Sequence, residues 1–145
     1  MNKEKRDKVL DYLRERSNAG GNNNDCARHT AAVNRIFLDP RIIEIYEQEL
    51  EKFKEVVVGY NMFEGITDIV FLGDKMHLVE IKTENKTKKA IKRVNYEGNH
   101  QLIKAYAFYK KNFAIAPERY LVICKGRNIE YRQIERPIVD IMLDF

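Results

Sequence analysis

Two carboxylates interrupt apolar runs that otherwise read as buried strands. Asp68 lies within Ile66 to Leu72, and Glu80 within Met76 to Ile81, with Lys82 two positions further on. The turn-like Gly73-Asp74 between these β-branched runs predicts a β-hairpin. A buried or half-buried acid must be paired, protonated or bound to a cation to offset its lost hydration. Two acids on neighbouring strands, with a lysine beside the second, make a site for a hard divalent cation, and the chemistry this suggests is phosphodiester hydrolysis. Side chains alternate along a strand, so Glu80 and Lys82 share one face while Ile81 lies on the other. Asp68 joins that face if the hairpin register permits. Oxygen ligands suit Mg²⁺ or Mn²⁺, which keep several waters and need few protein carboxylates. Such a cation polarises the scissile phosphate and lowers the pKa of a bound water. Lys82 then orients that water or neutralises charge in the transition state. An isolated E-x-K is ordinarily a solvated pair on a strand, so the weight rests on the residues that accompany it.

The stretches GITDIVF, HLVEIKT and HQLIKAYAF follow one another in that order. Their order resembles the PD-(D/E)XK nuclease superfamily, in particular its RecB-like branch, which includes the nucleases of CRISPR spacer acquisition. The branch's G-x-x-D and (D/E)-x-K fall on Gly65 with Asp68 and on Glu80 with Lys82. Its Q-x-x-x-Y begins at Gln101, but the tyrosine is Tyr106, one position late, with Ala105 in the usual place. The branch also carries a metal-binding histidine on an upstream helix, and His29 is the only histidine that precedes Asp68. If His29 is not a ligand, a carboxylate takes that place, as in other branches: Glu47 or Glu51 on the helix expected after Pro40, or Glu64 beside Gly65.

The resemblance implies a cation, Mg²⁺ or Mn²⁺, held by His29, Asp68, Glu80 and Ile81, and catalysis by Asp68, Glu80, Lys82 and Gln101. It implies DNA as substrate, single strands or ends foremost, in repair, recombination, or defence against or by mobile elements. A helicase or recombination complex, or a second copy of the chain, is the implied partner. The alternative is a non-catalytic nucleic-acid-binding or assembly subunit that keeps the fold, although every acidic and lysine position is filled. Many members of the branch hold an iron–sulfur cluster on four cysteines. Cys26 and Cys124 cannot supply four thiolates, so no iron–sulfur cluster is expected. They equally exclude a disulfide scaffold and a zinc ribbon.

Lysines crowd the segment that follows the E-x-K strand. Lys86, Lys88, Lys89, Lys92 and Arg93 would line the mouth of the site and neutralise phosphates without regard to base sequence. Tyr96, and Tyr106 further on, are candidates to contact the nucleic acid, Tyr96 by stacking on a base of a single strand. Away from such a site, a charge run is a solvated face.

The elements that must position these residues are legible in outline. The chain has 145 residues, 44% of them hydrophobic and 33% charged, with a net charge of +4. That composition suits one domain over 1–145, with 1–24 an N-terminal helix and flexible connector. The opening MNKEKRDKVLDYLRER lacks the apolar core of a signal peptide, and no run approaches a membrane span. A reduced intracellular, cytoplasmic protein with no membrane contact is expected.

Val9, Leu10 and Leu13 mark a helix over 3–16, and Gly20-Gly21-Asn22-Asn23-Asn24 a connector. A helix over about 26–37 follows, capped by Asp25. Pro40 begins another, with Ile42, Ile43, Tyr46 and Leu50 facing inward. Val56-Val57-Val58 opens the first strand, ahead of the two motif strands. A helix over about 99–112 carries Gln101, with Leu102, Ala105, Tyr106 and Tyr109 on one side. Strands at Leu121 to Cys124 and Ile129 to Ile134 flank a turn at Gly126-Arg127-Asn128, and a short helix closes the chain at 138–144. This order matches the α/β core that the resemblance implies: restriction-endonuclease-like, three-layered, with a mixed central sheet flanked by helices.

Overall fold

Runs of β-branched and aromatic residues build one five-stranded sheet in the order β1-β2-β3-β4-β5. In a computed structural model that describes residues 1–18, 27–59, 65–83 and 88–134 (backbone alone for 88–96), the strands are β1 Glu51–Val57, β2 Ile66–Leu72, β3 Met76–Thr83, β4 Glu118–Lys125 and β5 Asn128–Gln133. The pairs β1–β2, β2–β3 and β4–β5 are antiparallel, whereas β3 and β4 run parallel. A parallel pair needs a long crossover, supplied here by the 26-residue helix α3, Lys88–Phe113. The chain is thus an α/β protein with a mixed sheet flanked by helices. The Asp25 cap, the connector at 20–24, Cys26, Glu64, Lys86, the closing helix at 138–144 and the side chains of Lys88, Lys89, Lys92, Arg93 and Tyr96 lie outside the described residues.

Both faces of the sheet are covered, which is why β2 and β3 read as continuous apolar runs rather than alternating ones. On one face Val70, Leu72, Leu78, Leu121 and Ile123 meet Leu10 and Leu13 of α1 (Lys3–Arg16) and Leu102 and Tyr109 of α3. On the other, Ile69, Phe71, Val79, Ile81 and Val122 meet Val33 and Ile36 of α2 (Ala27–Leu38) and Ile43. Leu13, Ile36 and Ile43 are fully buried, and each such side chain contributes about 1.5–3 kcal/mol. Among the described residues no helix is long and apolar enough to cross a membrane.

Three elements depart from expectation. Pro40 opens only a short 3-10 turn, Pro40–Ile43, capped by the Asp39 side chain on the Arg41 N–H. Glu44 then turns left-handed at φ 61 and ends it, so Tyr46 is 70% exposed instead of facing inward. The run Ile42-Ile43-Glu44-Ile45 is rich in β-branched residues, which are stiff in a helix. Strand β1 begins at Glu51, ahead of Val56, because charged residues around Phe53 mask an edge strand. Helix α3 starts at Lys88, well before 99, since its first turns are built from good helix formers without an apolar stripe. Gly98 sits inside that helix because a Cβ there would lie 2.5 Å from Leu121 Cδ1: the helix presses against β4 at this point.

Candidate functional site

The ladder between β2 and β3 runs from Leu72↔Met76 to Ile69↔Val79 and stops there, before Asp68 and Glu80. β3 nevertheless continues beside β4, from Glu80↔Leu121 to Thr83↔Cys124. Where the two strands part, a side chain takes over from the missing backbone: the Ile81 N–H donates to Asp68 Oδ2 at 2.7 Å. Asp68 shares its parity with Val70 and Leu72, and Glu80 and Lys82 share theirs with Leu78. All three therefore lie on the α1/α3 face, in the register the hairpin needed. Gly65, just ahead of β2, has φ +139 and accepts the Val58 N–H at 3.0 Å through its carbonyl. Only glycine adopts that backbone without strain, which explains the residue that heads G-x-x-D.

His29 comes from the opposite layer, near the start of α2. Its Nε2 lies 3.4 Å from Asp68 Oδ2 and 3.1 Å from the Ile81 carbonyl oxygen. That nitrogen faces two acceptors, so it carries the hydrogen in this arrangement.

Asp68 is 7% exposed and Glu80 3%, and the two carboxyl groups lie close enough for each to shift the other's titration. Burial alone would raise both. For Glu80 burial, then the charge of Asp68 and their shared hydrogen bond, push the pKa well above the ordinary carboxylate range, against a lowering by Lys82. For Asp68 burial is outweighed by the hydrogen bonds with His29 and Glu80, the His29 charge and the Ile81 N–H, and the pKa falls. The two shifts run in opposite directions, so Asp68 gives up its proton before Glu80 does.

Among the described residues no group of three or more His, Cys, Asp and Glu side chains is disposed to hold a metal. What converges is an imidazole nitrogen, a carboxylate oxygen and a main-chain carbonyl, with Glu80 close enough to shift that carboxylate's titration. Adjacent ligands around an octahedral cation with bonds of about 2.1 Å stand roughly 3 Å apart. The contacts of 3.1 and 3.4 Å around His29 Nε2 have that spacing. An oxygen-rich set with one imidazole fits Mg²⁺ or Mn²⁺ in its chemistry.

The remaining candidates separate clearly. Lys82 is half-buried on the face of Glu80. Gln101 of α3 is half-buried, and its Oε1 is buried without a hydrogen-bond partner among the described residues. Tyr106 is half-buried with the Arg119 guanidinium, at the start of β4, 5.0 Å over its ring. Glu47 and Glu51 are at the wrong end of the sheet. Glu47 accepts from His77 Nε2 at 2.9 Å and from the Lys75 N–H at 3.3 Å, and Glu51 pairs with Leu72 and faces Arg14 at 3.6 Å. Neither lies on a helix, because the expected helix ends at Ile43, and neither meets Asp68. The same signal that picks out Asp68 and Glu80, a polar residue inside an apolar run, also marks His77. It is buried between Glu47 and the Tyr120 hydroxyl, 3.2 Å from its Nδ1, and this polar cluster was not anticipated.

No family model matches the chain, and no curated protein matches it. Among solved structures it is similar to the crystal structure of SSO0001, at 18% identity and a TM-score of 0.41, over 80% of this chain and 52% of that one. It is also similar to a repair endonuclease from Pyrococcus abyssi, at 16% identity and a TM-score of 0.41, over 74% of this chain and 42% of that one. The chain spans about half the length of these proteins or less, and with both scores below 0.5 the likeness says nothing about the site.

Proposed function

We propose that the chain is a divalent-metal-dependent nuclease that hydrolyses phosphodiester bonds in DNA, of the RecB-like PD-(D/E)XK kind. The observation that carries this proposal is the buried Asp68–Glu80 pair, met by His29 Nε2 and the Ile81 carbonyl where the β2–β3 ladder stops. His29, Asp68, Glu80 and the Ile81 carbonyl hold Mg²⁺ or Mn²⁺, and the cation, when bound, supplies the charge that polarises a phosphate and acidifies a water. Lys82 orients the attacking water or neutralises charge on the phosphate. Gln101 offers its Oε1, buried and unsatisfied among the described residues, to the Lys82 ammonium, or donates from its NH2 group to a phosphate oxygen.

Lys86, Lys88, Lys89, Lys92, Arg93 and Tyr96 contact the DNA backbone and bases. The short link from Thr83 to Lys88 brings the first turn of α3 to the end of β3 that carries Glu80 and Lys82. Tyr106, with the Arg119 guanidinium over its ring, is a further candidate for that contact. The substrate is single-stranded DNA or DNA ends, and the setting is repair, recombination, or defence against or by mobile elements. A helicase or recombination complex, or a second copy of the chain, completes the grip on DNA.

A non-catalytic binding or assembly subunit is the second reading. The raised pKa of buried Glu80 beside Asp68 favours it, since a Glu80 that keeps its proton lets the two acids stand together without a cation. Incubation with labelled single-stranded, duplex and branched DNA in Mg²⁺, Mn²⁺ or EDTA separates the two. The nuclease cleaves only with a cation. Intact DNA in every condition, with binding preserved, selects the second reading.

A further inference from the structure

Helix α1 supplies no residue to the proposed site, yet one of its side chains reaches the strands that form it. Tyr12 is 3% exposed. Its hydroxyl donates to the Val57 carbonyl at 2.5 Å and accepts the Gly59 N–H at 3.0 Å. Both groups lie where β1 ends, at and beyond its last ladder pair, Val57↔Ile66. Gly59 has φ +104, so the strand has turned away from extended geometry there. A buried backbone group without a partner is costly, and one phenol satisfies a donor and an acceptor together. Between those two residues, the Val58 N–H donates to the Gly65 carbonyl at 3.0 Å. One chain of hydrogen bonds therefore runs from Tyr12 through the end of β1 to the residue that opens G-x-x-D.

The ring of the same side chain is seated on α3. Its centroid lies 5.1 Å from Phe108, 5.9 Å from Tyr109 and 5.5 Å from Phe113. Tyr12 thus bridges the helix that carries Gln101 and the strand pair that carries Asp68. We infer that Tyr12 is a positioning residue for the carboxylate site, setting Asp68 on β2 against Gln101 on α3 through its hydroxyl. This inference rests on the nuclease proposal for what the site does, but not for what Tyr12 holds in place.

Tyr12→Phe keeps the ring and its packing and removes both hydrogen bonds, so it isolates the hydroxyl. Two measurements on the full chain are paired: amide hydrogen exchange by mass spectrometry, and steady-state cleavage of labelled single-stranded DNA in Mn²⁺. Exchange should accelerate by about tenfold or more over Val57–Gly59 and Ile66–Asp68, and stay within about twofold at Leu72 and Val122, because only the local opening is cheaper. The kcat should fall about tenfold with KM within about twofold, as expected when a reacting group is misplaced without loss of binding surface. Ile43→Val, a destabilising change in the other core cluster, should leave kcat unaltered. Unchanged exchange over Ile66–Asp68, or acceleration spread evenly over the sheet with normal kcat, overturns the inference. If the unaltered protein cleaves no DNA with any cation, the nuclease proposal fails by itself. The exchange pattern then decides Tyr12 alone: local acceleration upholds its positioning role and its absence overturns it.

Discussion

Replacing Glu80 by glutamine tests whether burial beside Asp68 raises the pKa of Glu80. Glutamine is nearly isosteric with a protonated glutamate and keeps a donor toward Asp68, but it can never ionise. Glu80 has its pKa raised well above 4.5, by burial, by the charge of Asp68 and by the hydrogen bond between them. In the folded, metal-free protein it stays protonated over a range in which the unfolded chain has released that proton. Its contribution to stability is therefore fully present below 4.5 and is lost as pH rises toward the folded pKa. Asp68 acts in the opposite sense. Its lowered pKa contributes stability that is present above 3.8 and lost as pH falls below it. Above pH 5 the decline belongs to Glu80, with a limiting slope of about 1.4 kcal/mol per pH unit for one proton.

Glu80→Gln removes that slope. Urea unfolding in EDTA, run from pH 5 to pH 8 on both proteins, should show the variant gaining on the parent as pH rises, with the slope of the difference near that limit until the folded pKa is passed. Contributions from titrating groups remote from the pair cancel in the difference. A melting-temperature series should follow, by roughly 2–5 °C per kcal/mol for a domain of this size. Parallel curves for the two proteins across this range would refute the protonated Glu80.

Three further outcomes are expected. Lys82→Ala should slow cleavage by about two orders of magnitude while DNA affinity changes little, whereas Lys88→Ala combined with Lys89→Ala should weaken binding and flatten its salt dependence with saturated cleavage nearly intact, both read by single-turnover kinetics and binding titrations over a salt series. His29→Ala should weaken Mn²⁺ binding by about tenfold or more in calorimetry, since it removes the proposed ligand nitrogen and the partner of Asp68. Gly65→Ala should destabilise the fold by about 1–3 kcal/mol in urea unfolding: among the described residues no atom crowds its Cβ position, so the cost is read as backbone strain at φ +139.

The carboxylate pair was legible because a charged residue in an apolar strand contradicts its surroundings, and that contradiction does not depend on knowing the fold. Parity then put Glu80 and Lys82 on one face, with Asp68 joining them only if the hairpin register allowed it. The end of the ladder at Ile69↔Val79 was not legible, since strand pairing depends on register and on what the opposite strand offers. The helix expected after Pro40 failed at Glu44, where a left-handed turn overrides an apolar pattern that suits a helix. With that helix gone, Glu47 and Glu51 had no route to Asp68, and Glu47 serves His77 instead. Tyr12 carried no signal at all. An aromatic on the apolar stripe of a helix reads as core, and only the structure reveals that its hydroxyl closes the end of β1. The first turns of α3 were hidden for the opposite reason, because lysines supply helix propensity without an apolar stripe.

The most direct test of the central claim is cleavage of end-labelled single-stranded DNA by the full chain and by Asp68→Asn, each in Mn²⁺ and in EDTA. Asparagine keeps the shape of Asp68 and loses the charge that His29 and the Ile81 N–H surround. The account predicts shortened products from the unaltered protein in Mn²⁺ alone, and intact DNA from Asp68→Asn in both conditions. Equal cleavage by Asp68→Asn, or undiminished cleavage in EDTA, would contradict it.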